Sequence, residues 1–417
     1  MLLIKNIGQL VTVGGNKPKS GSEMKEINVI EDAYLVIKED EIFDFGKSKA
    51  LKEQNQYDKV IDAQNKVVMP GFIDPHTHLV FGGDRSYEFK MRLRGVPYID
   101  ILKNGGGILS TVNETRKSSY QDLLDVSNKR LDRFLSYGVT TVEGKSGYGL
   151  DKTTEIKQLE IMKELNERED IDVVSTFLGA HAVPKEYNKS DQYIDYIIQE
   201  VMPEVVENEL AEFCDVFCDE GAFSYQESEK LLKAADKMGL KLKIHADEII
   251  NTNAAQLAGK LKAVSAEHLL KASREGLNSL RENDVLAVLL PLTAFSLQEE
   301  YADAKQMIEM DIPVALATDL NPGSSYSQSI PLLLSLAVMY MDMKPEEAIT
   351  ALTLNAAAAL NREEQVGSIQ KGKKADLLII DAPNYNHLFY NFGVNLVEKV
   401  YKNGKLVFDN SLENRKF

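Results

Sequence analysis

Two of the six histidines in the sequence, His76 and His78, lie two residues apart in the segment GFIDPHTH (71–78). Residues at this spacing point to different faces of a helix but to the same face of a strand. The preceding run VVMPGFID is apolar and contains β-branched residues, which favours a strand. Both imidazoles would then lie on one face at the carboxyl end of that strand, an arrangement suited to binding one metal ion.

Three more histidines also end apolar, β-rich segments, namely His181, His245 and His268. One histidine in such a place is usually a hydrogen-bonded packing residue. Packing alone, however, gives no reason for five histidines to gather at the same end of the strands, so we predict a common site. The sixth, His387, lies in a C-terminal loop and is predicted to be a surface residue.

The remaining ligands of such a site would follow later strands. Zinc and similar metals take imidazole and carboxylate ligands, and a catalytic site keeps one position open for water. His245 in KIHADE offers a third imidazole beside the HTH pair, and Asp319 in ATDLNPG offers a carboxylate. Such a centre lowers the pKa of its water to roughly 7. His268 could polarise a carbonyl or orient the water, and Glu248, three residues after His245, could shuttle protons.

Eight apolar, β-rich segments follow one another along the chain. Helical stretches with 3.6-residue periodicity, such as 119–138 and 227–239, separate most of them. This alternation predicts an α/β fold, a (β/α)8 barrel of the TIM type, with function on the loops after the strands. The eight segments are 67–78, 138–147, 172–181, 214–221, 241–248, 263–269, 285–293 and 314–323.

The two ends of the chain have a different pattern. Residues 1–66 and 366–417 contain short alternating segments, and YKNGKLV in the second carries an Asn-Gly hairpin signal. We predict a small β-sandwich domain formed from both ends, flanking a barrel of residues 67–365.

Composition restricts the partners and the compartment. The 417 residues carry a formal net charge of −16, which argues against nucleic acid and membrane surfaces, both of which are polyanionic. The net charge does not exclude a small anionic substrate, because such a molecule responds only to the local electrostatic field.

The N-terminal segment and the cysteines indicate the compartment. The start MLLIKNIGQL lacks signal-peptide features. Cys214 and Cys218 would lie roughly 13 Å apart on a strand, beyond disulfide reach, so we expect reduced thiols and a cytoplasmic protein.

Taken in order, these motifs resemble the metal-dependent amidohydrolase superfamily and its one-metal branch, which includes cytosine and adenosine deaminases. Within the superfamily, the chain most resembles the imidazolonepropionase family of histidine degradation. A single HxH motif has little specificity, whereas the ordered set has much. The set consists of DPHTHLVFGGDR (74–85), GGGILSTVNETR (105–116), EGKSGYGL (143–150), FLGAHAVP (177–184), KIHADE (243–248) and ATDLNPGS (317–324).

This resemblance implies hydrolytic opening of 4-imidazolone-5-propanoate to N-formimidoyl-L-glutamate by a metal-activated water. It implies one zinc or iron ion per chain, since three imidazoles and a carboxylate suit both metals. The implied metal ligands are His76, His78, His245 and Asp319. The implied substrate contacts are Arg85, Tyr148, His181, Glu248, Asn321, Gly323 and Ser324. The implied catalytic residues are Asp319, His268 and Glu248, with the division of proton transfers among them left open. A homodimer is a further expectation from the resemblance.

These residue types suit that substrate. The propanoate is an anion, and the planar guanidinium of Arg85 could donate two parallel hydrogen bonds to its carboxylate. Tyr148 lies on a loop between two glycines that could close on a ligand. Without the resemblance, a surface ion pair for Arg85 and loop packing for Tyr148 would be the default interpretations.

Three alternatives remain open. Lys145 ends the second predicted strand, and binuclear members of the superfamily bridge two metals with a carboxylated lysine, although the one-metal resemblance favours an ordinary lysine there. Glu143 is equally open. A deaminase or ring hydrolase acting on a purine, pyrimidine or triazine is a second alternative, but an uncharged base would not need Arg85. An inactive scaffold of the dihydropyrimidinase-like kind is the third, although none of the expected metal ligands is missing.

Overall fold

The computed structural model describes residues 1–51, 57–96, 100 and 105–411. Its strands are β1 (Leu2–Val11), β2 (Val29–Lys38), β3 (Glu41–Lys47), β4 (Lys59–Asp62), β5 (Val67–Pro70), β6 (Phe72–Asp74), β7 (Val139–Lys145), β8 (Asp172–Ala180), β9 (Phe213–Cys218), β10 (Lys241–Ala246), β11 (Ser265–His268), β12 (Leu286–Leu289), β13 (Val314–Leu316), β14 (Leu377–Ile380), β15 (Val397–Lys402) and β16 (Lys405–Asp409).

The α-helices of the described residues mostly connect the strands β6 to β13. They are Ser86–Leu93, Ile108–Lys117, Tyr120–Ser136, Lys152–Leu165, Ser190–Tyr196, Met202–Glu207, Tyr225–Lys237, Ala254–Leu261, Arg274–Glu282, Pro291–Leu297, Ala304–Glu309, Ile330–Tyr340, Pro345–Ala351, Leu354–Ala359 and His387–Tyr390. Short 3-10 turns at Gly21–Lys25 and Ser48–Ala50 and a π-helical turn at Ile197–Val201 complete them.

Strands β6 to β13 form one parallel sheet in chain order, which confirms the predicted (β/α)8 barrel. Backbone hydrogen bonds between the segments that follow β6 and β13 close it. The amide of Asp319 donates to the carbonyl of His76 at 3.0 Å, and the amide of His78 donates to the carbonyl of Leu320 at 2.9 Å. The first and last strand ends of the barrel therefore lie side by side.

Asp74, the last residue of β6, reinforces this closure. Its carboxylate is fully buried and accepts hydrogen bonds from the Thr318 hydroxyl at 2.6 Å and the Thr318 amide at 3.2 Å. Thr318 is the second residue after β13. Because a buried carboxylate must be hydrogen-bonded, the pair fixes the eighth strand end against the first.

The helix predicted over 119–138 is confirmed as Tyr120–Ser136. Ser119 caps its start, since the Ser119 hydroxyl accepts from the Asp122 amide and the Asp122 carboxylate accepts from the Ser119 amide. The helix ends before Gly138, whose φ of +86° suits glycine. A second capping box, from Ser224, begins the predicted helix of 227–239, which is confirmed as Tyr225–Lys237.

One expectation about the strands is corrected. The apolar run 67–78 divides at Gly71 into two strands of different sheets. β5 pairs with β14 and β1, whereas β6 pairs with β7. A Cβ at Gly71 would lie 2.3 Å from Oγ1 of Thr140, so this crossing requires glycine. The run is continuously apolar because both strands are buried on both faces.

The remaining strands form a second sheet in the order β16-β15-β14-β5-β1-β2-β3, with β4 also paired to β1. Both chain ends contribute, as predicted, and the sheet packs around a core of its own. The predicted Asn-Gly hairpin is confirmed, since Asn403 and Gly404 join β15 to β16 with φ of +49° and +72°. The division into 1–66 with 366–417 and 67–365 stays a prediction, and 52–56, 97–99, 101–104 and 412–417 lie outside the described residues.

Three smaller expectations can be compared with the fold. Cys214 and Cys218 are buried free thiols on β9, as expected. His387 begins a short helix, so its placement in a loop is corrected, while its partly exposed side chain agrees with a surface position. Among the described helices, none combines the length and apolarity that a membrane span requires.

We expect Thr318→Val to lower the free energy of unfolding by about 1–3 kcal/mol, because it leaves a buried oxygen of Asp74 without its hydroxyl donor. Urea denaturation followed by circular dichroism measures the change. Thr141→Val on β7 is the matched control, since the buried Thr141 hydroxyl makes no hydrogen bond within the described residues. Equal losses in both variants would show that the Asp74–Thr318 contact does not support the barrel.

Candidate metal centre and active site

The structure brings the four predicted metal ligands together at the carboxyl end of the barrel. Nε2 of His76 and Nε2 of His78 each lie 3.5 Å from Oδ1 of Asp319. The ring of His245, at the end of β10, lies 4.6 Å from the ring of His76 between centroids. All four side chains are buried. His268, at the end of β11, joins them, since its ligand atom lies within 4.8 Å of those of His76 and His245.

The donor atoms at this centre fit a metal ion. Within the described residues, Nε2 of His76, Nε2 of His245 and Oδ1 of Asp319 are buried without a hydrogen bond. A buried polar atom without a partner costs about 1–3 kcal/mol, and such groups are uncommon in folded proteins. A cation between them would satisfy all three, and imidazole with carboxylate is a donor set for zinc or iron.

Asp319 is held by its own surroundings with one oxygen towards the imidazoles. The Thr293 hydroxyl donates to Oδ2 at 2.6 Å, and Asp319 adopts a left-handed φ of +51°. Burial by itself would raise the pKa of this carboxyl. The nearby imidazole of His76 and the Thr293 hydroxyl outweigh burial and lower the pKa to about 2, so Asp319 is a carboxylate at neutral pH.

Two carboxylates that the sequence analysis missed lie behind the histidines. Oε2 of Glu267 is 2.6 Å from Nδ1 of His76, and Oδ2 of Asp215 is 3.0 Å from Nδ1 of His245. A carboxylate at Nδ1 fixes the ring so that Nε2 faces a metal. The available signal was a charged residue inside an apolar strand segment, as Asp215 is in FCDVFC. Such a residue must point to a partner inside the barrel.

His268 and Glu248 form a second titratable pair beside the centre. Nδ1 of His268 lies 3.5 Å from Oε1 of Glu248. Burial lowers the pKa of His268 to about 3, so the imidazole is neutral at neutral pH. Burial, together with the charge of Asp319, raises the pKa of Glu248 to about 8. Asp219 fixes this loop, since its Oδ2 accepts from the amides of Glu248 at 2.7 Å and Ile249 at 2.9 Å.

His181 and Tyr148 form an aromatic wall next to His78. The ring of His181 stacks on that of His78 at 4.8 Å between centroids, and Tyr148 lies 5.2 Å from His181. Nδ1 of His181 lies 3.1 Å from the carbonyl of Gly147. Burial lowers the pKa of His181 to about 3, so its ring is also neutral at neutral pH.

The loop that carries Tyr148 is already fixed over the site. Glu155, in the helix Lys152–Leu165, accepts hydrogen bonds from the amides of Gly147 at 3.0 Å, Gly149 at 2.8 Å and Leu150 at 2.8 Å. Tyr148 itself is buried. The glycines therefore let backbone amides approach a carboxylate, a role that the sequence analysis did not foresee for them.

A cavity of about 560 Å³ opens above the barrel, and Arg85, Gly323 and Ser324 line it. Arg85 is held by Glu88, whose Oε2 accepts from Nε at 2.9 Å and from Nη2 at 2.8 Å. A Cβ at residue 323 would lie 2.3 Å from Nη1 of Arg85, so glycine leaves room for the guanidinium. Arg85 is thus a positioned group of the cavity wall, with its charge partly compensated by Glu88.

Asn321 differs from the other predicted substrate contacts. Its Oδ1 accepts from the amides of Gly323 and Ser324, both at 2.8 Å. Its Nδ2 donates to the Asp319 carbonyl at 2.8 Å and to the Ser324 hydroxyl at 2.9 Å. These contacts organise the loop after β13 and fix Ser324 and Gly323 at the cavity.

Lys145 lies below the histidines in full burial. Its Nζ is 2.8 Å from Asp215, 2.9 Å from Glu267 and 3.2 Å from Glu143. Burial alone would lower the pKa of Lys145, but the three carboxylates outweigh it and raise the pKa above its usual range. Lys145 is therefore an ammonium ion in a carboxylate pocket.

The chain is similar to known proteins along nearly its whole length. Residues 67–407 match the model of the amidohydrolase family. Imidazolonepropionase from Clostridium tetani is 50% identical over 413 residues, which cover 98% of this chain and 99% of that protein. The imidazolonepropionase from Alkaliphilus oremlandii is 51% identical over 411 residues, which cover 97% of each chain.

Solved structures of other enzymes share the fold. An adenosine deaminase from Xanthomonas campestris with bound zinc has a TM-score of 0.74 at 18% identity, covering 97% of this chain and 92% of that chain. Guanine deaminase from Escherichia coli has a TM-score of 0.73 at 16% identity, covering 98% and 99%. At these identities the likeness shows the fold alone.

We expect Thr293→Val to weaken Zn²⁺ binding about 10- to 100-fold, because Asp319 loses the hydroxyl that orients its carboxylate. Competition with a chromophoric chelator measures the dissociation constant. Thr141→Val is again the control, since it removes a buried hydroxyl that has no hydrogen bond within the described residues. Unchanged affinity in folded Thr293→Val would mean that Asp319 is oriented without Thr293, or is no ligand.

Proposed function

The chain belongs to the amidohydrolase family and, within it, to the imidazolonepropionases, and we propose on this premise that it hydrolyses 4-imidazolone-5-propanoate to N-formimidoyl-L-glutamate. The observation that carries this proposal is the identity of about half of all residues with imidazolonepropionases, over 97–98% of the chain. The buried donor set at the carboxyl end of the barrel supports it, because a ring amide resists water that is not activated.

We propose one zinc or iron ion per chain, with His76, His78, His245 and Asp319 as its ligands. Within the part of the chain that the structure describes, the unpartnered Nε2 atoms of His76 and His245 and the unpartnered Oδ1 of Asp319 support this assignment. An ion held there would act as a Lewis acid and lower the pKa of a bound water to roughly 7. The chain itself contributes the geometry, since Glu267 and Asp215 direct Nε2 of two imidazoles into the site.

The proton transfers fall to Asp319, Glu248 and His268. Water adds to the ring carbonyl carbon, its proton passes to Asp319, and the bond from that carbon to the ring nitrogen breaks as the nitrogen accepts a proton. Asp319 suits the acceptor role because its Oδ1 lies 3.5 Å from Nε2 of both His76 and His78, at the position proposed for the activated water. Glu248, with a pKa of about 8, carries a proton at neutral pH and suits the donor role. Neutral His268, with Nδ1 3.5 Å from Oε1 of Glu248, hydrogen-bonds the carbonyl or the water.

We propose that Arg85 holds the propanoate at the cavity and that Gly323 and Ser324 line its path. Tyr148 and His181 form the wall against which the ring packs, and their burial supports this role. Asn321 acts on the substrate through the loop that it organises.

The alternatives considered from the sequence have less support. A deaminase acting on an uncharged base has no use for Arg85 in the cavity, and the deaminase structures share only 16–18% identity with this chain. An inactive scaffold would be expected to lack metal ligands, whereas the buried set here includes all four.

We also propose the wider setting of the enzyme. Its partner is a small anionic molecule, without nucleic acid or membrane, and it acts as a homodimer in the cytoplasm. The net charge of −16 and the two free thiols are compatible with these proposals. Residues 1–66 with 366–417 form the small domain and 67–365 the barrel, although β5 is hydrogen-bonded to the sheet of the chain ends.

A substrate assay on the purified, metal-loaded chain tests the function. We expect loss of the imidazolone ultraviolet absorbance with formation of N-formimidoyl-L-glutamate, and about one zinc or iron ion per chain by elemental analysis. Chelation should abolish turnover and re-addition of metal should restore it. Full activity without metal, or turnover of purines or triazines instead of the imidazolone, would refute the proposal.

We expect Arg85→Ala to lower kcat/KM about 10- to 150-fold, because a charge-assisted contact to the propanoate contributes roughly 1.5–3 kcal/mol. Arg85→Lys keeps the charge without the planar fork and should recover part of the loss. In Arg85→Lys, Glu88 keeps a cationic partner. A loss of activity in this variant therefore reports on the substrate contact and not on an unpaired Glu88, which makes it the sharper test. Steady-state kinetics measure kcat/KM of both variants on 4-imidazolone-5-propanoate and on an imidazolone that lacks the carboxylate.

Arg168→Ala is the control, since Arg168 lies before β8 at the opposite end of the barrel and pairs with Asp170 there. It should leave kcat/KM unchanged. If kcat/KM of an Arg85 variant falls equally on both imidazolones, Arg85 supports the loop and does not recognise the anion.

A further inference from the structure

Five charged side chains fill the barrel directly below the histidine centre, and the function proposed above leaves most of them unassigned. They are fully buried and come from four strands of the barrel. We call them the carboxylate–lysine cluster. Its members are Glu143 and Lys145 on β7, Asp215 on β9, Lys243 on β10 and Glu267 on β11.

The contacts in this cluster converge on Lys145. Its Nζ lies between three carboxylates, 2.8 Å from Asp215, 2.9 Å from Glu267 and 3.2 Å from Glu143. Lys243 completes the cluster, with Nζ 3.1 Å from Glu143 and 3.4 Å from Glu267. Three carboxylates and two ammonium groups leave one net negative charge in the closed interior. The lysines therefore compensate most of the charge that would otherwise make this interior unstable.

The same carboxylates reach the histidines from below. Oε2 of Glu267 contacts both Nδ1 of His76, at 2.6 Å, and Nζ of Lys145, at 2.9 Å. Oδ2 of Asp215 contacts both Nδ1 of His245, at 3.0 Å, and Nζ of Lys145, at 2.8 Å. A single ammonium group thus fixes the two carboxylates that orient two imidazoles.

These carboxylates also form two sets of donors with the spacing of a cation site. Donor atoms of His76, Glu143 and Glu267 lie within 4.8 Å of one another, and so do those of Asp215, His245 and Glu267. The Nζ of Lys145 contacts an oxygen of each carboxylate in both sets. The position where a second cation would bind is therefore taken by a cation of the chain itself.

We propose that Lys145, supported by Lys243, is a built-in cation with two roles. It is a positioning residue that holds Glu267 and Asp215 against Nδ1 of His76 and His245. It also excludes a second metal ion from the carboxylate pocket, so that the centre binds one ion. Lys145 acts as an ammonium group, because a carboxylated lysine would place an anion among three carboxylates. This inference rests on the metal centre proposed above, and its test needs no substrate.

The test compares metal binding by the full chain after removal of its metal. Lys145→Met removes the ammonium group and keeps an unbranched side chain. We expect Co²⁺ or Zn²⁺ to bind about 10- to 100-fold more weakly, since loss of groups that orient ligands has effects of this size. We also expect two ions per chain at saturation, because the carboxylates around the vacated ammonium position can then bind a second ion. Chelator competition gives the affinity, and elemental analysis gives the number of ions.

Lys402→Met is the matched control. Lys402 on β15 is also buried and contacts two carboxylates, Asp172 and Asp376, each at 2.6 Å. It lies in the sheet of the chain ends. This variant should lose stability without a change in metal affinity or in the single ion bound.

The outcomes separate this inference from the proposed metal centre. Wild-type affinity in folded Lys145→Met would overturn the positioning role, and one ion at saturation would overturn the exclusion. A wild-type chain that binds no metal would refute the centre itself. If Lys145→Met does not fold, the charge-balanced variant Lys145→Met with Glu143→Gln replaces it. On the wild type, a lysine carbamate signal after incubation with ¹³C-bicarbonate would refute the ammonium role.

Discussion

Two backbone hydrogen bonds decide where the chemistry of this protein lies. They join the amide of Asp319 to the carbonyl of His76 and the amide of His78 to the carbonyl of Leu320. Through them the first and eighth strand ends meet, although they are more than 240 residues apart in the chain. Asp74 reinforces the contact with a buried carboxylate. The distances of 3.5 Å from both imidazoles to Asp319 follow from this closure.

The interior below the site is charged, which is costly in a folded protein. Removing an ion from water costs several kcal/mol, and buried ion pairs return that cost only with close contacts on every side. Glu267 has them, since it contacts His76, Lys145, Lys243 and the Ser265 hydroxyl. Replacement of such a network by apolar residues is often neutral for stability. In this protein the network instead fixes the orientation of the imidazoles of His76 and His245.

Buried carboxylates also hold the loops around the site. Glu155 accepts three backbone amides from the loop of Tyr148. Asp219 does the same for the loop of Glu248, and Glu88 holds Arg85 by two guanidinium nitrogens. An acceptor shared by several amides restrains a loop more than isolated contacts do. The groups that would meet a substrate are thus placed before it binds, which reduces the entropy that a reaction must lose.

The sequence by itself determined the barrel, and it predicted the HTH pair and the later candidate ligands His245 and Asp319. These features are local, because apolar periodicity and polar residues at strand ends are visible within short segments. Residue order alone also placed them on one rim, since the ends of parallel strands meet there.

Only the tertiary structure decided which side chains lie behind the ligands and where the first strand divides. Asp215, Lys243 and Glu267 look like isolated charges in apolar strands, and their partners come from other strands. Gly71 ends one strand and begins another because Thr140 lies against it. Contacts between residues far apart in the chain depend on the register and closure of the barrel, and no single segment contains that information.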